Sequence, residues 1–376
     1  MSRVSDCKPC SVLVDCRLMY YRKAGVSYYA QRLVRALAEL RAPWFTLRIL
    51  LDRRDADTGW VPPNVGIVRA VTPAHHRYEH LTLPIELACL GLRRAPCTVL
   101  HSPDFITCRG RFRKVITIHD LYFMEHPEAM SADGARYYSR IRWSASAADR
   151  IIAVSRFTRQ DILRLIPEAA SEKVIVVYEA AGRAPKVESG AVAHAAPPMR
   201  DVRFILFVGT LEPRKNLSTL LRALARLPSE VRLVIVGAPG WRDEALGDAA
   251  RELGVAERIE FVGWVSEDKL GALYRQARLL VMPSHSEGFG LPVLEAMSCG
   301  TPVVCSNAGA LPEIVADAAL LHSPTDDAEL ARHILALWAD DALHAEYARR
   351  GLARARDFSW ARAAQETLEV YRAALG

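Results

Sequence analysis

The 376-residue sequence predicts two doubly wound α/β units arranged in series. Three observations predict this. Apolar strand-like runs alternate with helical segments in two blocks, as parallel sheets with crossover helices require. Between the blocks, Gly182 to Arg200 is rich in Ala, Pro and Gly and has no periodicity, as suits a linker. Glycines, acids and cations cluster in loops just after strand runs, where ligands of doubly wound sheets sit.

The first block opens with a strand at Ser11–Asp15, followed by a helix at Ser27–Leu40 with Leu33, Leu37 and Leu40 at helical spacing. Strand-like runs recur at Thr46–Leu51, Val65–Val71, Thr98–His101, Val115–His119, Ile151–Ser155 and Val174–Tyr178. The second block begins at Phe204–Gly209 and continues with Val231–Gly237, Arg258–Val262, Arg278–Met282, Pro302–Cys305 and Ala319–Leu321. The expected boundaries are 1–182 for the first domain, 183–200 for the linker and 201–357 for the second domain. A terminal helix at 358–376 has no strand after it and is expected to pack back on the first domain.

Length and apolar content suffice for two cores. No apolar run approaches the eighteen or so residues of a spanning helix, and the first residues lack a secretory signal, so a cytoplasmic protein is expected. Eight cysteines are scattered, several in strand-like runs (Cys16, Cys97, Cys305), which fits reduced thiols. Cys7-Lys8-Pro9-Cys10 is a lone CxxC with no second pair to complete a zinc site. Residues 1–180 hold 27 Lys and Arg against 18 Asp and Glu, while the remainder holds 22 against 25. The basic half suits an anionic phospholipid surface or a lipid-pyrophosphate acceptor, or is simply a solvated basic face. It lacks the interleaved aromatics of a nucleic-acid binder, so no nucleic-acid partner is expected. Leu81 to Leu92, followed by Arg93-Arg94, reads as a core-facing helix or as one lying on a membrane or acceptor.

The most informative segment is Ser286-Glu287-Gly288-Phe289-Gly290-Leu291-Pro292-Val293-Leu294-Glu295. It follows a buried strand and enters a helix with Pro292 near its first position. Glu287 then lies in the loop and Glu295 about one turn into the helix. Gly288 and Gly290 permit close approach of a ligand, and the helix N-terminus favours a phosphate. Flanking carboxylates suit hydroxyls, so the segment fits a ligand with both groups, a sugar nucleotide. Gly209-Thr210-Leu211-Glu212-Pro213-Arg214-Lys215-Asn216 ends the first strand of the second block. Its adjacent cations form a diphosphate clamp, since Arg binds phosphate oxygens in pairs and Lys adds a point charge.

Weaker signals lie elsewhere. Gly25 precedes a helix and either admits a ligand or makes an ordinary turn. His119-Asp120 ends a strand; His119 either meets a sugar hydroxyl or makes an interfacial hydrogen bond, and Asp120 would orient it. Ser155 caps a helix. Gly263-Trp264-Val265-Ser266 places the Val265 backbone to face a base, and Gly309-Ala310 is either a phosphate-facing loop or a turn.

Together these residues resemble the retaining glycosyltransferases of family 4, which have the GT-B fold of two Rossmann-like domains facing across a cleft. The match runs over nearly the whole chain, strongest at Phe207–Leu217 and Pro283–Met297, then Cys299–Val304. It is supported by Ala148–Ser155 and Phe358-Ser359-Trp360. The resemblance implies that Arg214 and Lys215 hold the donor diphosphate, Glu287 the transferred sugar and Glu295 the ribose. The Gly288–Gly290 amides, Phe289 and Leu291 would lie nearby, with His119 beside the donor sugar and Gly25 in the N-terminal glycine loop. The catalytic set it implies is His119, Glu287, Arg214 and Lys215. Departures are Ala24 where a second glycine is frequent, and Glu179-Ala180-Ala181 where Asn-Gly is frequent.

Among relatives, His119-Asp120-Leu121 and Tyr178–Ala181 look most like bacterial surface-polysaccharide mannosyl- or rhamnosyltransferases. The implied activity is retaining transfer of a hexose, mannose favoured, from a nucleotide diphosphate sugar, GDP-mannose favoured, to a glycan or lipid-linked oligosaccharide. The donor is substrate, and no cofactor or metal is expected. Asp55-Ala56-Asp57 has metal-bridging letters but sits in a polar loop beside Arg53-Arg54. A sugar-nucleotide epimerase of the same fold is the enzymatic alternative. A noncatalytic sugar-nucleotide-binding partner of a membrane synthase is the alternative of another class.

Overall fold

The computed structural model describes residues 10–21, 25–91, 98–129, 134, 137–182, 203–238 and 243–376. The CxxC apart from Cys10, Cys97, Arg93-Arg94 and the 183–200 linker lie outside the described residues. The chain forms two compact units: Met1–Glu179 with Ser359–Gly376, and Ala180–Phe358.

Among the described residues the first unit contains a seven-stranded parallel sheet in the order β3-β2-β1-β4-β5-β6-β7. Its strands are β1 (Cys10–Asp15), β2 (Phe45–Asp52), β3 (Gly66–Ala70), β4 (Thr98–Ser102), β5 (Arg113–Ile118), β6 (Arg150–Ala153) and β7 (Val174–Val176). The seven apolar runs of the first block become these strands. Consecutive residues such as Val12, Leu13 and Val14 are all buried, because helices cover both faces and leave no polar alternation. The crossover helices include α1 (Gly25–Glu39), α2 (Glu79–Cys89), α3 (Ile141–Ala147) and α4 (Arg156–Leu165).

The second unit's described residues carry a six-stranded parallel sheet in the order β10-β9-β8-β11-β12-β13. Its strands are β8 (Phe204–Val208), β9 (Arg232–Val236), β10 (Ile259–Gly263), β11 (Leu279–Met282), β12 (Val303–Ser306) and β13 (Leu320–His322). Helices α5 (Leu217–Ala225), α6 (Asp243–Glu252), α7 (Glu267–Gln276), α8 (Leu291–Ser298), α9 (Leu311–Val315), α10 (Asp327–Ala339) and α11 (Asp341–Ala355) join or follow them. In each sheet the strand order reverses once, between β1 and β4 and between β8 and β11. Such switch points leave a crevice at the strand carboxyl ends.

The last helix, α12 (Trp360–Leu375), begins at Ser359, whose side chain accepts from the Arg362 amide. It packs in the first unit, with Ala364, Leu368 and Tyr371 in the core that holds Leu33 and Leu37 of α1. Tyr371 Oη meets His101 Nδ1 at 2.7 Å, and His101 Nε2 meets Thr117 Oγ1 at 2.9 Å. Burial lowers the His101 pKa to about 3, so this internal link is uncharged at neutral pH. Cys16, Cys108 and Cys305 are buried free thiols.

Candidate active site

In the second unit, two loops from neighbouring strands meet. The loop after β8 makes one tight turn at Pro213–Lys215 and ends on Asn216, held left-handed at φ +55°. Asn216 Nδ2 donates to the carbonyls of Pro283, 2.9 Å, and Pro324, 2.7 Å, and anchors the turn beside the β11 loop. The His285 amide donates to the Arg214 carbonyl at 2.8 Å, and Arg214 Nη1 donates to the Ser286 carbonyl at 2.8 Å. Strand order brings these loops together, since β8 and β11 are adjacent across the switch point.

Glu287, Arg214 and Lys215 converge there. Lys215 Nζ donates to Glu287 Oε1 at 2.7 Å, Arg214 Nη1 to Oε2 at 2.9 Å, and Ser284 Oγ to Oε1 at 2.6 Å. Arg214 Nη2 also reaches Glu212 at 2.7 Å. Glu287 is only 6% exposed and Lys215 7%. Burial by itself would raise the Glu287 pKa, but the charges of Lys215 and Arg214, with hydrogen bonds from Lys215 and Ser284, bring it down to about 2. The carboxylate is therefore ionised, and it holds two cations whose N–H groups outnumber its oxygens.

Two glycines make this packing possible. Gly309, at φ +63°, presses on the Glu287 backbone; a Cβ there would stand 2.5 Å from both its N and O. The Ala310 amide donates to the Glu287 carbonyl at 2.8 Å. Gly309, open in the sequence between a phosphate-facing loop and a turn, thus supports Glu287. Gly290, at φ +96°, caps α8, and a Cβ there would meet Leu311 Cδ2 at 2.6 Å. Gly288 and Phe289 are buried, Phe289 edge-on to Phe358, and Leu291 opens the helix. Glu295 lies on α8, where Tyr274 Oη donates to it at 3.1 Å. Gly209 follows β8, and Val265 is half-buried against the second core.

In the first unit, His119 follows β5. Its Nδ1 is 2.8 Å from Glu179 Oε1 and its Nε2 is 2.8 Å from the Pro103 carbonyl. Both partners are acceptors, so both ring nitrogens donate and the imidazolium is favoured. Burial lowers the His119 pKa, but the Glu179 hydrogen bond and charge outweigh it and raise the value. A ring nitrogen expected to meet a sugar hydroxyl is thus already engaged, because the chain returns Glu179 to the strand end. Tyr29 of α1 packs edge-on to the imidazole, 4.8 Å between centroids. Asp120 Oδ1 accepts from the Tyr122 amide at 3.2 Å and tightens the turn after His119. Ser155 caps α4 by accepting from the Thr158 amide. Gly25 opens α1 and is exposed; a Cβ there would meet nothing within 4 Å.

Sequence reasoning gave no role to Glu179, Ser284, Glu212 or Tyr274. Ser284, three residues before Glu287 in the same loop, had a local signal; Glu179 and Tyr274 are partners made only by folding.

The family model of glycosyl transferases group 1 matches residues 195–354, and that of glycosyltransferase family 4 matches residues 24–180. O-antigen chain mannosyltransferase B of Escherichia coli is 38% identical over 285 residues, covering 73% of this chain and 74% of that protein. D-inositol 3-phosphate glycosyltransferase of Mycolicibacterium gilvum is 36% identical over 344 residues, 84% of this chain and 77% of that one. A solved sucrose-phosphate synthase from Thermosynechococcus elongatus superposes with a TM-score of 0.74 at 21% identity, over 97% of this chain and 98% of that one. With both halves matched in order and the two-sheet architecture in place, the chain belongs to glycosyltransferase family 4 and is a glycosyltransferase of the GT-B fold.

Proposed function

We propose that the enzyme moves a mannosyl residue from GDP-mannose, with retention, to a hydroxyl of a glycan or lipid-linked oligosaccharide in surface polysaccharide assembly. The observation that carries this reading is the joining of Arg214 and Lys215 to Glu287 in front of α8. Breaking the bond between the sugar C1 and the phosphate oxygen puts charge on the departing diphosphate. Two fixed cations beside a helix N-terminus stabilise that charge without reorganisation. The acceptor oxygen forms the new bond to C1, and its proton passes to the leaving phosphate oxygen. Lys215 and Arg214 turn part of their hydrogen bonding from Glu287 to the diphosphate, which leaves Glu287 to accept from sugar hydroxyls. Glu295, set by Tyr274, takes the ribose hydroxyls. The side-chain cations do the work a divalent ion would do, so activity is metal-independent.

The mannosyl assignment follows the relative from Escherichia coli, whose name specifies mannose transfer to O-antigen. A thermal-shift panel of GDP-, UDP- and dTDP-sugars tests it, because donor binding stabilises by mass action. Stabilisation by GDP-mannose alone, followed by acceptor-dependent transfer in the presence of chelator, is the expected result. Stabilisation by another base, or a donor epimerised without acceptor, overturns it. The higher coverage of the D-inositol 3-phosphate relative favours a second reading, transfer to a phosphorylated polyol, tested by offering inositol 3-phosphate as acceptor.

We place the enzyme in the cytoplasm, peripheral on the inner face of the plasma membrane. On α2, Leu83 and Leu87 face the core, while Leu81 and Ile85 are 50% and 63% exposed. Tyr78, exposed at its start, lies under the Arg77 guanidinium, 4.4 Å from the ring centroid. Apolar side chains beside a cation suit an anionic bilayer surface. Among the described residues no helix is long and apolar enough to cross a membrane.

A further inference from the structure

We propose that Glu212 competes with the donor diphosphate for one edge of the Arg214 guanidinium and turns away when the diphosphate binds. This rests on the transfer reading above and adds to it a residue that sets how tightly donor and released nucleotide are held. Two carboxylates share Arg214. Nη1 donates to Glu287 Oε2 at 2.9 Å and to the Ser286 carbonyl at 2.8 Å. Nε and Nη2 donate to Glu212 Oε1 at 3.1 and 2.7 Å.

The two carboxylates are held unequally. The Glu287 side chain is 7% exposed and also accepts from Lys215 and Ser284. The Glu212 side chain is 36% exposed, and among the described residues its hydrogen bonds all come from Arg214. An exposed ion pair contributes little, whereas breaking a buried one is expensive. Glu212 is therefore the partner that yields to an incoming anion.

The geometry favours the exchange. One edge of a guanidinium matches two acceptor oxygens side by side. Here both N–H groups of the Nε–Nη2 edge converge on a single oxygen of Glu212, and a diphosphate brings the pair that fits. The backbone need not move. Glu212 is extended, Pro213 opens the tight turn, and the Lys215 amide donates to the Glu212 carbonyl at 3.0 Å. Rotation of one side chain uncovers the edge. Charge points the same way. Arg214 and Lys215 are balanced by Glu212 and Glu287, two cations against two carboxylates. The departure of Glu212 leaves net positive charge for the diphosphate, and its return favours release of the nucleotide product.

The test is calorimetric titration of the full chain with GDP, UDP and dTDP, comparing wild type with Glu212→Gln and Glu212→Ala. Both variants should bind the nucleotide that wild type takes about two- to fivefold more tightly, the worth of a partly exposed ion pair. A residue that only steered Arg214 would give the opposite sign, so unchanged or weaker binding overturns the proposal. A crystal structure of wild type with that nucleotide should show Arg214 Nε and Nη2 on phosphate oxygens and Glu212 turned from them. Glu212 still on Arg214 overturns the proposal whatever the affinities, because the gain would then be a through-space effect of charge. Failure here is separable from failure of the transfer reading. A wild type that binds none of the three nucleotides removes the donor site and the role of Glu212 together. Tighter binding of UDP or dTDP by the variants removes only the GDP assignment. GDP-mannose transfer with GDP affinity unmoved by Glu212→Gln removes only the role of Glu212.

Discussion

Replacing Glu287 with Gln isolates the charge that organises the donor loops. The carboxylate is buried, and its pKa falls from the ordinary 4.5 to about 2. Each pKa unit corresponds to about 1.4 kcal/mol of differential stabilisation, so the ion pairs contribute about 3 kcal/mol at neutral pH. This agrees with the roughly 3–5 kcal/mol lost when one partner of a buried pair is removed. Because Gln keeps the shape and can still accept from Lys215, the lower end is expected. The assay is urea denaturation followed by tryptophan fluorescence, with Trp264 and Trp338 reporting on the second unit. Glu287→Gln should lose about 3 kcal/mol at pH 7. The sign with pH follows from a depressed native pKa: the contribution is present above the unfolded value and disappears as pH falls through the folded one. The gap between wild type and variant should therefore close between about 4.5 and about 2. Donor should partly restore the variant, because the diphosphate supplies the missing negative charge. A gap under about 1 kcal/mol at neutral pH, or one that does not respond to acid, would refute the reasoning.

Lys215→Ala removes a buried cation 2.7 Å from Glu287, and kcat should fall about 100-fold or more, read in a transfer assay. Gly309→Ala forces a side chain into left-handed backbone and against Glu287. It should cost at least about 1–2 kcal/mol and abolish the donor-induced thermal shift. For His119→Gln, the raised native pKa means that the wild-type advantage is complete below the ordinary histidine value and fades as pH climbs through the folded one. Melting temperatures of both proteins across the neutral to alkaline range would show this convergence; a gap that widens with pH would contradict it.

The sequence by itself determined the elements and their kind. Each strand run reappears as a strand of a parallel sheet, because continuous apolar stretches of that length can be buried on both faces only in such a sheet. The cap at Ser155 was equally legible, and its side chain accepts an amide of its own helix. These are local events, decided within a few residues by hydrogen bonding and periodicity. The pairing of Lys215 with Glu287, 72 positions apart, was not legible, although both residues were singled out. Which loops meet depends on which strands are neighbours, and long-range packing sets that order. The same cause hid Glu179 behind His119 and the pressure of Gly309 on Glu287. On α2 the periodicity announced an apolar helix, but the tertiary contacts decided that Leu83 and Leu87 turn inward and leave Leu81 and Ile85 in water. Spacing along a chain tells where a side chain points relative to its own element, and only the folded sheet tells what stands opposite.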